Sequence, residues 1–145
     1  MTISVTPFRA VPFKAWHMAA IERQPIQLDT SLEPDPVELE QSGPAWTAIA
    51  GGRPIACAGF SRSTWPHQAM AWCILAENIG AAMVPLTRLV RREFARSEFQ
   101  RLEVLVLSSH AAGHRWAKLI GLEREGTMRR WGPLAVDHDI YARVK

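Results

Sequence analysis

A histidine at the start of a helix, just after a buried strand, can carry a proton near neutral pH. His110 has that setting, after Ser108-Ser109 and ahead of the helical run 111–120. His114 follows one turn later and is expected to share its surface. Glu77 ends the apolar run 68–76 and could act as a base through a water molecule. Each has a plain structural alternative. His110 could be a helix-terminal residue with an exposed ring, and Glu77 a loop carboxylate beside a helix N-terminus, where the dipole favours negative charge. After Glu77 come Asn78-Ile79-Gly80-Ala81-Ala82. Small residues at a strand-to-helix turn let an anion approach backbone N–H groups, or they simply pack. Other chemistries lack their residues. No Ser/His/Asp or Cys/His set assembles, and no His, Cys or carboxylate pair has metal-ligand spacing, so no metal is expected. Cys57 and Cys73 fit neither a metal pattern nor a disulfide framework and read as small buried groups. His67 reads as a turn residue. His138 lies between Asp137 and Asp139 in the last strand, and the single tyrosine, Tyr141, reads as a packed strand residue.

The elements that must position these groups follow from periodicity. With 145 residues, 48% apolar and 21% charged, the chain reads as one domain spanning 1–145 with a real core. No apolar run approaches the ~18 residues of a membrane span. The N-terminus has no signal-peptide pattern, so a cytoplasmic location is expected. Alternation predicts a first strand over 2–5. Pro7 and Pro12 bracket a turn, and residues 13–21 have helical spacing. Residues 24–36 read as a loop and 36–41 as one or two helical turns, broken by Ser42-Gly43-Pro44. Strands follow over 45–50 and 54–61, joined by the tight turn Gly51-Gly52. The run 68–76, apolar on both faces, reads as a central covered strand. Met83, Leu86, Leu89, Val90 and Phe94 mark an amphipathic helix, with Pro85 allowed only in its first turn. A strand over 101–107, a helix over 111–120 stopped by Gly121, and strands over 122–130 and 137–144 complete the order. Helices around a mixed sheet make this an α+β chain.

The formal net charge is +3. Arg88, Arg91, Arg92, Arg96, Arg101, Arg129 and Arg130 could form a basic surface for phosphates, nucleic acid or an acidic partner. Interleaved Glu93, Glu98 and Glu103 favour a solvated face instead. Nucleic-acid binding through the arginine-lined helix is the weaker reading, because no basic–aromatic cluster accompanies it. Most of the six tryptophans should be core or interface. Trp65 and Trp131, at expected turns, would mark a partner or acceptor surface if exposed.

The succession of strand 101–107, helix, Gly121-Leu122, Glu125-Gly126-Thr127-Met128-Arg129 and a final strand ending in Tyr141-Ala142-Arg143 resembles the C-terminal half of the GNAT superfamily of N-acetyltransferases. The resemblance spans roughly 45–143. It implies the acyl-CoA N-acyltransferase fold, a mixed central sheet flanked by helices. It also implies an acetyl-CoA-dependent transfer to an unidentified amine. Glu-Gly-x-x-Arg looks like the branch acting on protein N-termini or small amines. By the same resemblance, backbone groups of Ile74, Leu75 and Ala76 would bond the pantetheine arm, and the loop Asn78, Ile79, Gly80, Ala81 and Ala82 would hold the pyrophosphate. Gly80 and Ala82 match the family's loop, whereas Glu77 replaces its basic or amide first residue. Aligned on Gly121-Leu122, His110 falls at a family Asn, and Ala117 at the Tyr that many relatives use to protonate the thiolate. Glu77 and His110 are the catalytic candidates that remain. The chain also resembles the shortened GNAT-like proteins of phages and prophages. That alternative implies a structural or interaction module without the chemistry, with a virion partner. Homodimerisation through sheet edges or the last strands is a further implication of the family.

Overall fold

The computed structural model describes residues 7–28 and 35–145. The expected strand over 2–5 and part of the expected loop lie outside them. Seven strands form one sheet in the order β1-β2-β3-β4-β5-β7-β6. They are β1 Phe8–Pro12, β2 Ala45–Ala50, β3 Arg53–Arg62, β4 Gln68–Leu75, β5 Arg101–Leu107, β6 Glu123–Trp131 and β7 Val136–Val144. The helices are α1 Ala15–Ala19, α2 Pro25–Leu28, α3 Pro36–Gln41, α4 Met83–Arg96 and α5 Ala111–Leu119.

Three segments depart from the sequence expectation. Residues between Pro7 and Pro12 are a strand, not a turn, because they pair with β2 from Phe8↔Ala50 to Pro12↔Trp46. Pro12 is tolerated there because β1 is an edge strand. The helix expected over 13–21 is a five-residue piece. Phe13 and Ile21, outside it, still join its buried face. The expected loop over 24–36 contains α2. Elsewhere the agreement is close, and β5 and α3 match residue for residue.

Alternation along the strands sorts side chains onto two faces. Ala48, Ala56, Phe60, Leu102, Val106 and Tyr141 pack with Leu86, Leu89, Val90 and Phe94 of α4 and with Ala117 of α5. On the opposite face Cys57, Ile74 and Ala76 meet Phe13, Met18, Ile21 and Leu39 from the α1–α3 region. A buried chain supports that second face: the Lys14 N–H donates to His17 Nδ1 at 3.0 Å, and Thr47 Oγ1 lies 2.7 Å from the same nitrogen. Since Nδ1 already accepts, the Thr47 hydroxyl donates to it and can accept in turn from Cys57 Sγ at 3.6 Å.

Two ends of helices fix the site. Gly121, at φ +99°, closes α5. The Leu122 N–H bonds the Ala117 carbonyl at 3.0 Å and the Gly121 N–H bonds the Lys118 carbonyl at 3.1 Å, the paired bonds of a glycine-terminated helix. Pro85 sits in the first turn of α4, where its missing N–H costs nothing. At the other end of α4 the Arg143 guanidinium donates to the Phe94 carbonyl at 2.6 Å and to the Phe99 carbonyl. A cation there meets the negative end of the helix dipole.

Candidate functional site

Among the described residues β4 and β5 are the one parallel pair in the sheet, and they stay together only at Gln68↔Arg101, Ala69↔Leu102 and Met70↔Glu103. Beyond those positions they separate, although each strand continues. The gap opens into a cleft of ≈ 590 Å³, within the range of small-molecule sites. Its lining includes Gln27 of α2, Cys73 and Leu75 of β4, Leu107 of β5, His110 at the head of α5, and His138 of β7.

His110 is the N-cap residue of α5. Its ring folds back over Gly113, where an added Cβ would lie 2.6 Å from His110 Nδ1 and 2.9 Å from Val106 Cγ1. The absence of a side chain at Gly113 therefore makes room for the imidazole beside the cleft. Burial, with smaller effects from His114 and Arg115, lowers the His110 pKa below its ordinary 6.5. The ring is accordingly neutral at pH 7 and able to accept a proton.

His114 does not share that surface. It turns inward, with Nδ1 2.7 Å from the Tyr141 hydroxyl and Nε2 3.0 Å from the Ser108 carbonyl. The carbonyl can only accept, so Nε2 carries the proton and Tyr141 donates to Nδ1. Tyr141 is 1% exposed, a packed strand residue as its pattern implied. Next to it Asp139 accepts from Ser108 Oγ at 2.6 Å, Thr127 Oγ1 at 2.8 Å and Arg124 Nε at 2.9 Å. The Ser108 bond leads these in holding its pKa down, to about 2. This cluster ties β5, β6, β7 and α5 together behind the cleft.

His138 was the residue the sequence concealed. It is 2% exposed and pairs with Leu107 at the open end of β5. Tyr141 faces α5, so alternation puts His138 on the other face of the sheet. Its Nδ1 lies 2.7 Å from the Val136 carbonyl and must donate to it, and its buried Nε2 has no hydrogen-bond partner. Trp131, expected at a turn, instead ends β6 and packs edge-on against this ring at 5.2 Å. Trp65 is exposed, as is Trp16 of α1.

The loop residues are placed as follows. Glu77 and Asn78 are exposed, Ile79 is buried in the core, and Gly80–Ala82 form a tight helical turn running into α4. Gly80 has φ +52°, and a Cβ built there would have no atom within 4 Å. The turn thus combines a helix N-terminus with free space above its backbone. Of the three β4-end residues, Leu75 directs its N–H and carbonyl toward the parted side, to Gln27 and Gln24. The Ala76 N–H instead donates to the Ile55 carbonyl of β3 at 2.8 Å, and Ile74 is paired with Cys57. Ala117 is 2% exposed and part of the core. Cys57 is buried, which pushes its thiol up to about 11, and burial raises Cys73 as well. Neither is a ready nucleophile. Among the described residues no three His, Cys, Asp or Glu side chains are grouped to hold a metal, and no helix is long and apolar enough to cross a membrane.

The fold as a whole is shared with solved structures. A GNAT-family acetyltransferase from Streptococcus pneumoniae superposes with a TM-score of 0.70 at 12% identity, over 95% of this chain and 99% of that one. The fold is that of the GNAT acyl-CoA N-acyltransferases. The ribosomal-protein-S5-alanine acetyltransferase of Vibrio fischeri gives 0.67 at 12% identity, covering 97% of each chain. A putative phosphinothricin N-acetyltransferase gives 0.74 at 14%, over 95% and 98%. At these identities the likeness establishes the GNAT fold and leaves the chemistry to the site. No family model and no curated protein sequence matches the chain.

Proposed function

We propose that the chain is an acyl-CoA-dependent N-acetyltransferase acting on an amine. The observation that carries this is the early parting of β4 from β5, which leaves a ≈ 590 Å³ cleft lined by His110 and His138. Among the GNAT-fold structures, the L7/L12 N-acetyltransferase RimL was solved with coenzyme A and the microcin C7 immunity acetyltransferase MccE with acetyl-CoA. The residues here fit such a ligand in two respects. Gly80 and Ala81 offer backbone N–H groups and open space to a pyrophosphate, the Ala82 N–H being held by the Ile79 carbonyl, and the Leu75 backbone can pair with an extended amide chain. Ile74, Ala76, Asn78 and Ile79 would support that surface. When bound, acetyl-CoA supplies the activated acyl group.

The chain's own part is proton handling and exclusion of water. An ammonium acceptor must lose a proton before it attacks, and the departing thiolate must gain one. His110, neutral at pH 7, lies on the α5 side of the cleft and can serve either step. The unpartnered His138 Nε2 lies on the other face and suits the acceptor. Glu77, exposed beyond the end of β4, is placed to act only through water.

A second reading, a scaffold that keeps the fold without the reaction, is favoured by Glu77 at the anion turn and by Ala117 where many relatives keep a tyrosine. Calorimetric titration with acetyl-CoA at low and moderate salt separates the two. Saturable one-to-one binding supports the enzyme. Absence of binding at millimolar ligand supports the scaffold.

A further inference from the structure

In β4, successive residues direct their backbone polar groups to opposite sides. The Ala76 N–H reaches Ile55 of β3, so Cys73 and Leu75 face the side that β5 has left. Those groups are already taken. The Leu75 N–H donates to Gln27 Oε1 at 2.8 Å, and Gln27 Nε2 donates to the Cys73 carbonyl at 3.2 Å. The Gln24 N–H donates to the Leu75 carbonyl at 3.0 Å, and the Glu77 N–H to the Glu22 carbonyl at 2.8 Å. Arg23 forms an antiparallel bridge with Ala76. Residues 22–24 therefore act as a short extra strand on the open edge, and Gln27 of α2 continues the pairing with its side-chain amide. A carboxamide is the side chain that reproduces both the donor and the acceptor of a peptide group.

We propose that Gln27 is a built-in competitor for this edge. It holds the Cys73 and Leu75 backbone groups in the free protein, and an amide-bearing ligand must displace it to pair with β4. The ligand class rests on the acyl-CoA reading above, since the pantetheine arm is an extended diamide. The displacement has a consequence for order. A ligand that evicts Gln27 breaks the side-chain bonds from α2 to β4 while Gln24 still holds the Leu75 carbonyl, so the cleft wall on the α2 side loosens only after that ligand is seated. Asn in place of Gln27 is one methylene short and cannot span both groups, while Glu can accept from Leu75 but cannot donate to Cys73.

The test combines amide hydrogen exchange of the free protein with calorimetric titration by coenzyme A. Wild type, Gln27→Ala and Gln27→Asn are compared, with thermal melting to confirm folding. Both variants should speed exchange at the Leu75 amide while leaving Ala76, held by Ile55, unchanged. Losing two competing hydrogen bonds should tighten coenzyme A binding by about five- to 150-fold. Unchanged Leu75 exchange overturns the proposal, as does unchanged or weaker binding in variants when wild type binds; the acyl-CoA reading survives both. Binding by neither protein at millimolar ligand removes the acyl-CoA reading, and the competition with it. Binding by the variants alone supports both.

Discussion

Gly113→Ala tests whether the space above α5 is what brings His110 to the cleft. The new methyl would lie 2.6 Å from His110 Nδ1 and 2.9 Å from Val106 Cγ1, whereas non-bonded carbons settle at about 3.5–4.0 Å. Both neighbours must yield by close to an ångström. The imidazole can swing about its own torsions, while Val106 is 7% exposed in β5 and has little freedom. Replacing a helical glycine gains about 0.5–1 kcal/mol, and overpacking costs about 1–3 kcal/mol, so a net loss of about 0–2 kcal/mol is expected. The sharper readout is the titration of His110. Its pKa is lowered mainly by burial, so an expelled ring should titrate closer to 6.5. The sign for stability follows. The unfolded state binds the proton more readily, so the His110 contribution is complete above about 6.5 and is lost as pH falls through the lowered folded-state value. Gly113→Ala should shrink that acid loss. His17, also lowered by burial, contributes in the same window, so ring-proton NMR of each histidine is needed to isolate the effect. A His110 titration identical to wild type in a folded Gly113→Ala protein would refute the reasoning.

Gly80→Asp should abolish coenzyme A binding by adding a side chain and a negative charge at the anion turn, with Gly80→Ala as the control. The φ of +52° strains either variant by about 1–2 kcal/mol, so melting temperatures should fall alike while calorimetric affinity separates them. Asp139→Asn removes a carboxylate held at about 2 by its hydrogen bonds. That stabilisation, roughly 1–2 kcal/mol, is present above about pH 4 and is lost as pH falls toward 2, so urea midpoints of the variant should depend less on pH over that interval. Thr47→Val takes the hydroxyl from between His17 and Cys57 at a site with 0% exposure. It should cost about 1 kcal/mol by denaturant titration, because the hydroxyl's hydrogen bonds are lost while His17 Nδ1 keeps the Lys14 N–H.

Much of the architecture was legible in the sequence. Period-2 alternation and turn glycines predicted the strands from Ala45 onward, and the apolar stripe of α4 with its first-turn Pro85 fixed that helix. These signals are local, carried by neighbours a few residues apart. The N-terminal third was harder to read. Its helices are only four to six residues long, and the pairing of Phe8–Pro12 with β2 crosses more than thirty residues.

The site divides along the same line. By itself the sequence determined an α+β domain of GNAT type, a small-residue turn before α4, and a histidine heading α5. Tertiary structure alone decided which of these groups meet. It turned His114 inward onto Tyr141, set His138 at the open end of β5 with an unpartnered Nε2, and laid Gln27 against backbone groups 46 and 48 residues away. The physical reason is that backbone donors and acceptors are the same at every residue. A side chain that will bond them in a gap leaves no mark in the sequence until the strands around it have parted.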